Sequence, residues 1–481
     1  MRNLTLLTDL YELTMMQGYF KTGDNRTVVF DAFHRKNPSG SAYAVACGLE
    51  QVIDYIKNLR FNEDDIAYLD SLGLFEKDFL DYLANFKFTG DIYAIPEGTV
   101  VFPKEPLVKV IAPIMEAQLI ETVILNIVNH QSLIATKAAR VCFAAQGDGV
   151  LEFGLRRAQG PDAGIYGARA AMIAGCVGTS NVLAGQMFDV PVRGTHAHSW
   201  IMSFADEYTA FKTYANLYPT ACILLVDTYD TLKSGVPNAI RVFTEMRESG
   251  IEFTNYGIRL DSGDLAYLSK KARKMLDAAG FTDAVISASS DLDEYLIDSL
   301  KTQGATITSW GVGTNLITSK DNPAFGGVYK LTAVMNEDGT FTPKIKLSEN
   351  SEKITNPGNK TVYRVYDNDG MIKADLIALV GETYSESDSL LLFDPKETWK
   401  KTLLQPGEYT LRELLVPVFK KGECVYESPS VMDIRTYCLG ELATLWDESK
   451  RLINPQTVHV DLSKKLYDMK QELLNNYGAE E

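Results

Sequence analysis

Between Ala221 and Thr314 the chain repeats one pattern in four successive units: an apolar run, a polar or glycine-rich stop, and in the first three an amphipathic helix. Ala221 to Val226 stops at Asp227, Thr228, Tyr229 and Asp230 before a helical stretch through Ala239 to Arg247. Tyr256 to Leu260 stops at Asp261, Ser262, Gly263 and Asp264, with Leu265 to Ala279 as the next helix. Ala284 to Ala288 stops at Ser289, Ser290 and Asp291 before Glu294 to Leu300, and Thr306 to Trp310 stops at Gly311, Val312, Gly313 and Thr314. A strand apolar at every position is covered on both faces, which is what a parallel sheet flanked by crossover helices provides. The fold class is therefore α/β. Periodicity does not separate a barrel from a doubly wound sheet, but both place their chemistry at the carboxyl ends of the strands.

The rest of the chain has a different texture. Leu10 to Phe20 has partly helical spacing behind a Thr8-Asp9 start signal, and Thr27 to His34 reads as a strand ending at the basic turn His34, Arg35, Lys36. Helical stretches follow over Gly48 to Leu59 and Glu63 to Asn85. Asp91 to Val110, punctuated by prolines, predicts a small antiparallel sheet. After Lys330 the cycle stops; Lys344 to Lys346 and Thr361 to Tyr366 read as strands, and Leu462 to Leu474 as a closing helix. The expected parts are 1–130 (α+β), 131–330 (β/α units), 331–398, and a C-terminal extension over 399–481.

Composition narrows the function classes. With 47 Lys and Arg against 63 Asp and Glu, the net charge of −16 argues against broad nucleic-acid coating. An anionic substrate then needs a local concentration of Arg, Lys, backbone N–H groups or Mg²⁺. The six cysteines include no C-x-x-C pair, which fits a reducing cytoplasm. Met1 to Gln17 carries Asp9 and Glu12, unlike a secretory signal, and Pro106 to Val128 is interrupted by Lys109, Glu116 and Glu121, unlike a membrane span. A soluble, cytoplasmic protein is expected.

Four motifs carry chemistry. In Gly194-Thr-His-Ala-His-Ser-Trp200 stand two of the five histidines, after an expected strand over Val190 to Arg193. On a strand, H-x-H would put both imidazoles on one face and open a metal-hydrolase reading. Alternatively one histidine is a nucleophile oriented by a carboxylate such as Asp227. In Glu152-Phe-Gly-Leu-Arg-Arg157 an arginine pair follows another expected strand, and guanidinium forks suit phosphate and carboxylate. Asp261, in Arg259-Leu-Asp-Ser-Gly-Asp264, can hold Mg²⁺, grip a ribose, or cap the next helix. Gly311-Val-Gly-Thr-Asn315 lets backbone N–H groups approach a phosphate.

With Thr8 to Met15 (TDLYELTM) and Thr179 to Gly185 (TSNVLAG), these motifs resemble the nicotinate phosphoribosyltransferase family along nearly the whole chain. The resemblance implies a type II phosphoribosyltransferase fold: an irregular α/β barrel joined to an α/β sandwich built from the N-terminal part and segments after the barrel, with 331–398 returning to the sandwich. It implies a homodimer with shared active sites. It also implies conversion of nicotinate and 5-phosphoribosyl 1-diphosphate to nicotinate mononucleotide and pyrophosphate, with Mg²⁺ as cofactor and ATP hydrolysed as co-substrate, in NAD salvage. By the same resemblance His198 is the histidine phosphorylated by ATP and Asp227 its orienting carboxylate, while His196 is structural. Phe153 stacks on the pyridine ring and Tyr11 covers its other face from the partner. Arg156 lies near base and phosphates, and Arg259 and Asp261 contact ribose, pyrophosphate or Mg²⁺. Gly311, Gly313 and Thr314 form the 5′-phosphate loop, which Arg35 reaches from the partner. Ser180, Asn181 and Ser199 neighbour the nicotinate carboxylate. Nicotinamide-using relatives carry an acidic residue near the position of Asn181; a neutral residue there favours nicotinate over a nicotinamide-preferring transferase.

Overall fold

The computed structural model describes residues 3–478. It divides into two compact units, one from Met1–Leu133, Ala324–Pro429 and Thr436–Glu481, the other from Ile134–Pro323 and Ser430–Arg435.

The first unit is organised by Thr27–His34, buried at every residue after its first. It lies inside a seven-stranded sheet in the order Phe341–Pro343, Gly327–Met335, Thr27–His34, Val108–Pro113, Asp91–Ala94, Val416–Lys420, Glu423–Cys424. Every pairing in it is antiparallel. A central strand covered on both faces has no solvent side, so its one acid, Asp31, needs a partner; Lys360 Nζ supplies it at 2.8 Å. The stretch Glu63 to Asn85, expected as one helical run, is two helices, Glu63–Ser71 and Lys77–Ala84. Gly73 breaks the run at φ +66°, a conformation glycine adopts without steric cost. The strand expected over Lys344 to Lys346 is Phe341–Pro343 instead. The segment 399–481 is not an appendage: Thr410–Glu413 and His459–Leu462 are the outer strands of a four-stranded sheet with Lys360–Tyr366 and Ile372–Leu379 inside. These strands are too short to be legible locally, because their partners lie far away in sequence.

The second unit holds six parallel strands in the order Gly178–Thr179, Gly149–Glu152, Ser309–Val312, Val285–Ala288, Tyr256–Leu260, Cys222–Leu225. The sheet is a curled half-barrel. The last strand starts three residues later than the expected Thr306, pairing Ser309–Val312 with Gly149–Glu152, so Gly311 lies inside it. Val190 to Arg193, expected as a strand, makes only a single bridge from Val192 to Thr179. Pro191 has no N–H to give a ladder. Its carbonyl instead accepts from Thr179 N at 3.0 Å, and Arg193 N donates to Thr179 O at 2.9 Å.

One buried charge cluster in the first unit yields a stability prediction. Arg364 is wholly buried and forks onto Asp375 at 2.9 and 2.6 Å, with Glu441 at 3.1 Å. Glu105, also wholly buried, accepts from Phe102 N at 2.9 Å. Burial first, then the Asp375 charge, pushes its carboxyl well above the usual 4.5. A carboxyl raised in the folded state contributes stability at low pH that is lost as pH rises through its folded pKa. Glu105→Gln copies the protonated form, so its melting temperature relative to wild type should be higher at pH 8 than at pH 5; an unchanged difference between thermal melts at the two pH values would show that Glu105 carries no such proton.

Candidate active site

All six strands of the parallel sheet deliver residues to one cleft of about 350 Å³ at their carboxyl ends. Ser180 follows the first strand in sheet order, Phe153, Arg156 and Arg157 the second, and Gly311, Gly313 and Thr314 come from the end of the third. Ser289, Ser290 and Asp291 follow the fourth, Arg259 and Asp261 the fifth, and Leu225 the sixth, with Gly194 to His198 completing the wall.

Phe153 is set by its neighbours. Its N–H donates to Val312 O at 2.8 Å. The ring packs so closely on Gly311 that a Cβ there would stand 2.6 Å from Phe153 Cδ2. Arg259 lies near the same ring, its Cζ 5.7 Å from the centroid. The guanidinium is held by three bonds: Nε to Ser289 Oγ at 2.7 Å, Nη1 to Thr195 Oγ1 at 2.8 Å and Nη2 to Asp261 Oδ1 at 3.2 Å. Ser289 Oγ also donates to Asp261 Oδ1, so arginine, serine and aspartate form a closed triangle. Asp261 is not the helix cap; Asp264 is, accepting from Tyr267 N at 2.9 Å. The Arg156 and Arg157 side chains stand exposed at the cleft, and their guanidinium groups have no hydrogen-bond or ion-pair partner among the described residues, which leaves both forks open to an anion.

The two histidines diverge. Gly194 to Ala197 is irregular and His198 opens the short helix His198–Met202, so no strand aligns the imidazoles. His196 is buried against Tyr214 and Phe211, and its Nε2 accepts from Leu225 N at 3.3 Å. Cys222–Leu225 is an edge strand, and this nitrogen satisfies an amide that no neighbouring strand reaches. Burial lowers the His196 pKa to about 4, keeping it neutral. An H-x-H metal pair is therefore not built here. His198 reaches the cleft, with Nε2 at 3.2 Å from Asp227 Oδ1. The Asp227 side chain is buried, and its other oxygen accepts from Asp261 N at 3.0 Å and Ser262 Oγ at 2.5 Å.

Other expected positions fall elsewhere. Asn181 is buried outside the cleft lining: Oδ1 caps Val182–Phe188 by accepting from Ala184 N at 3.1 Å, and Nδ2 donates to Gly164 O at 3.1 Å. A cap of this kind is worth about 1 kcal/mol. Ser199 is exposed and does not line the cleft. Tyr11, 45% exposed on Leu10–Thr22, and Arg35, directly after Thr27–His34, belong to the first unit. Arg35 Nε is buried and unpartnered among the described residues. Sequence reasoning gave no role to Thr195, Ser289, Ser290 or Asp291, although the place of the last three after the strand Val285–Ala288 is legible.

Three family models cover most of the chain: the nicotinate phosphoribosyltransferase N-terminal domain over residues 6–129, the family itself over 149–369 and the C-terminal domain over 359–470. Nicotinate phosphoribosyltransferase of Bacillus subtilis (strain 168) is 48% identical over 476 residues, covering 98% of this chain and 96% of that protein. The chain belongs to the nicotinate phosphoribosyltransferase family. The Homo sapiens relative of that name is 32% identical, covering 98% of this chain and 96% of its own length. The crystal structure of human nicotinic acid phosphoribosyltransferase superposes with a TM-score of 0.85 at 30% identity, covering 97% of this chain and 99% of that one. Nicotinate-nucleotide pyrophosphorylase from Pyrococcus furiosus, at 23% identity and TM-score 0.68 over 92% of this chain and 96% of its own, shares the fold.

The contact between Phe153 and Gly311 makes a test of the cleft in this family member. Gly311→Ala should displace the ring and lower transferase turnover by at least about tenfold with little change in melting temperature. Wild-type rates from that variant would show that the ring position is not required.

Proposed function

We propose that the chain forms nicotinate mononucleotide and pyrophosphate from nicotinate and 5-phosphoribosyl 1-diphosphate, driven by ATP through a phosphohistidine at His198, in cytoplasmic NAD salvage. The observation that carries this reading is His198, held by Asp227 at the rim of a cleft that also contains the Arg259–Asp261 pair. With Nε2–H donated to Asp227, the Nδ1 lone pair is left to attack the γ-phosphoryl group of ATP, and ADP departs. The phosphoryl group adds nearly two negative charges at the cleft and so changes how it binds the substrate phosphates. No helix among the described residues is long and apolar enough to cross a membrane.

In the transfer step the pyridine nitrogen attacks C1 of the ribose as pyrophosphate leaves. Phe153 presents the ring, and Arg156 and Arg157 supply uncompensated positive charge for the nicotinate carboxylate and the phosphates. That charge, rather than the inward-turned Asn181, favours nicotinate over the neutral nicotinamide. Arg259 and Asp261, braced by Ser289, orient the ribose, and Gly313 with Thr314 offers backbone N–H groups to the 5′-phosphate. The cleft suits Mg²⁺, which takes one or two carboxylates together with substrate phosphates: Asp261 is the fitting ligand, and the ion would neutralise charge on the leaving pyrophosphate. Tyr11 and Arg35 complete the site from the partner subunit of a homodimer. The unpartnered Arg35 Nε supports that assignment, since a buried guanidinium N–H calls for an acceptor.

Wild type given nicotinate, 5-phosphoribosyl 1-diphosphate and Mg²⁺ should form the nucleotide faster with ATP, and His198→Ala should lose the ATP stimulation; no product from wild type would overturn the transferase reading. Mixing Tyr11→Ala with His198→Ala subunits should restore part of the activity if the sites are shared. No recovery, with exchange of subunits verified, would mean that each chain works alone.

A further inference from the structure

Glu152 ends the strand Gly149–Glu152 with its side chain wholly buried, and no basic side chain among the described residues pairs with it. An uncompensated buried carboxylate is costly unless its oxygens are satisfied. Both are satisfied here. One accepts from Gly154 N, the other from Thr179 Oγ1 at 2.6 Å. Thr179 Oγ1 in turn accepts from Asn181 N at 3.0 Å, and Ser180 N donates to Glu152 O at 3.0 Å. Burial pushes the carboxyl pKa up while these two donors pull it down.

One side chain thus ties together two turns that both reach the cleft: Phe153 to Arg157, with the ring and the open guanidinium forks, and Thr179 to Asn181, with Ser180. The first turn packs closely on Ile317 at Gly154, where a Cβ would stand 2.4 Å from Ile317 Cβ. Arg259, Asp261 and Ser289, from the ends of other strands, are braced by their own hydrogen bonds and make none to Glu152. We infer that Glu152 is a positioning residue for the aromatic-acid subsite, setting Phe153 against Ser180 and thereby governing recognition of nicotinate more than that of the phosphoribosyl donor. This rests on the transferase reading above.

The test is steady-state kinetics of the full-length enzyme with each substrate varied, beside thermal melts. Glu152→Gln turns an amide N–H₂ toward one of the two donors. Thr179→Val removes the hydroxyl that Thr179→Ser keeps. Glu152→Gln and Thr179→Val should raise the nicotinate KM at least about tenfold and the 5-phosphoribosyl 1-diphosphate KM by no more than about threefold, with Thr179→Ser close to wild type. If Glu152→Gln does not fold, the valine and serine pair makes the same comparison. Equal rises in both KM values, or unchanged kinetics with a lowered melting temperature, would overturn the inference and leave Glu152 a purely structural acid. Failure of the wild type to make the nucleotide would instead overturn the transferase reading and this inference with it.

Discussion

A strand buried on both faces can carry hydrogen-bonding side chains cheaply only at its ends, and this constraint organises the parallel sheet. Leu224 to Val226, Ile258 and Ile286 are apolar and buried, and polarity concentrates at Asp227, Asp261 and Ser289 to Asp291. Parallel pairing puts all these ends on one edge. A cleft lined by arginine, aspartate, serine and glycine is thus a consequence of how the sheet is buried, before any ligand is considered.

The cleft groups are then held by one another rather than by the core. Arg259, Ser289 and Asp261 close a triangle, and Asp227 spans His198, Asp261 N and Ser262. Such networks fix orientation before substrate arrives, which is where an electrostatic catalyst gains most. Arg156 and Arg157 are the exception: unpaired charges on a protein of net charge −16 provide the local field that an anionic substrate requires.

The four β/α units and most of the cleft residues were legible because strand burial and polar strand ends leave local signals. Other features were not. His196 and His198 read as a same-face pair only while Val190 to Arg193 is taken for a strand; Pro191 removes the ladder, and the imidazoles part. Asn181 looked like a cleft residue from its motif, yet both its amide groups are consumed by the Val182–Phe188 cap and Gly164. Glu152 looked like one more motif letter, because the demand on its second oxygen comes from Thr179, on the neighbouring strand.

What the sequence by itself determined is the class of the fold and the edge of the sheet where chemistry sits, since hydrophobic period and strand-end polarity are local properties of the chain. Tertiary structure alone decided which motif residues turn away from the cleft, as Asn181 does. It also decided that Gly311 lies within a strand beneath a ring, and that 399–481 supplies strands to the sheets of the first unit. The physical reason is the same in each case: a hydrogen bond or a steric limit is set by the atoms that arrive from elsewhere in the chain, and period carries no record of them.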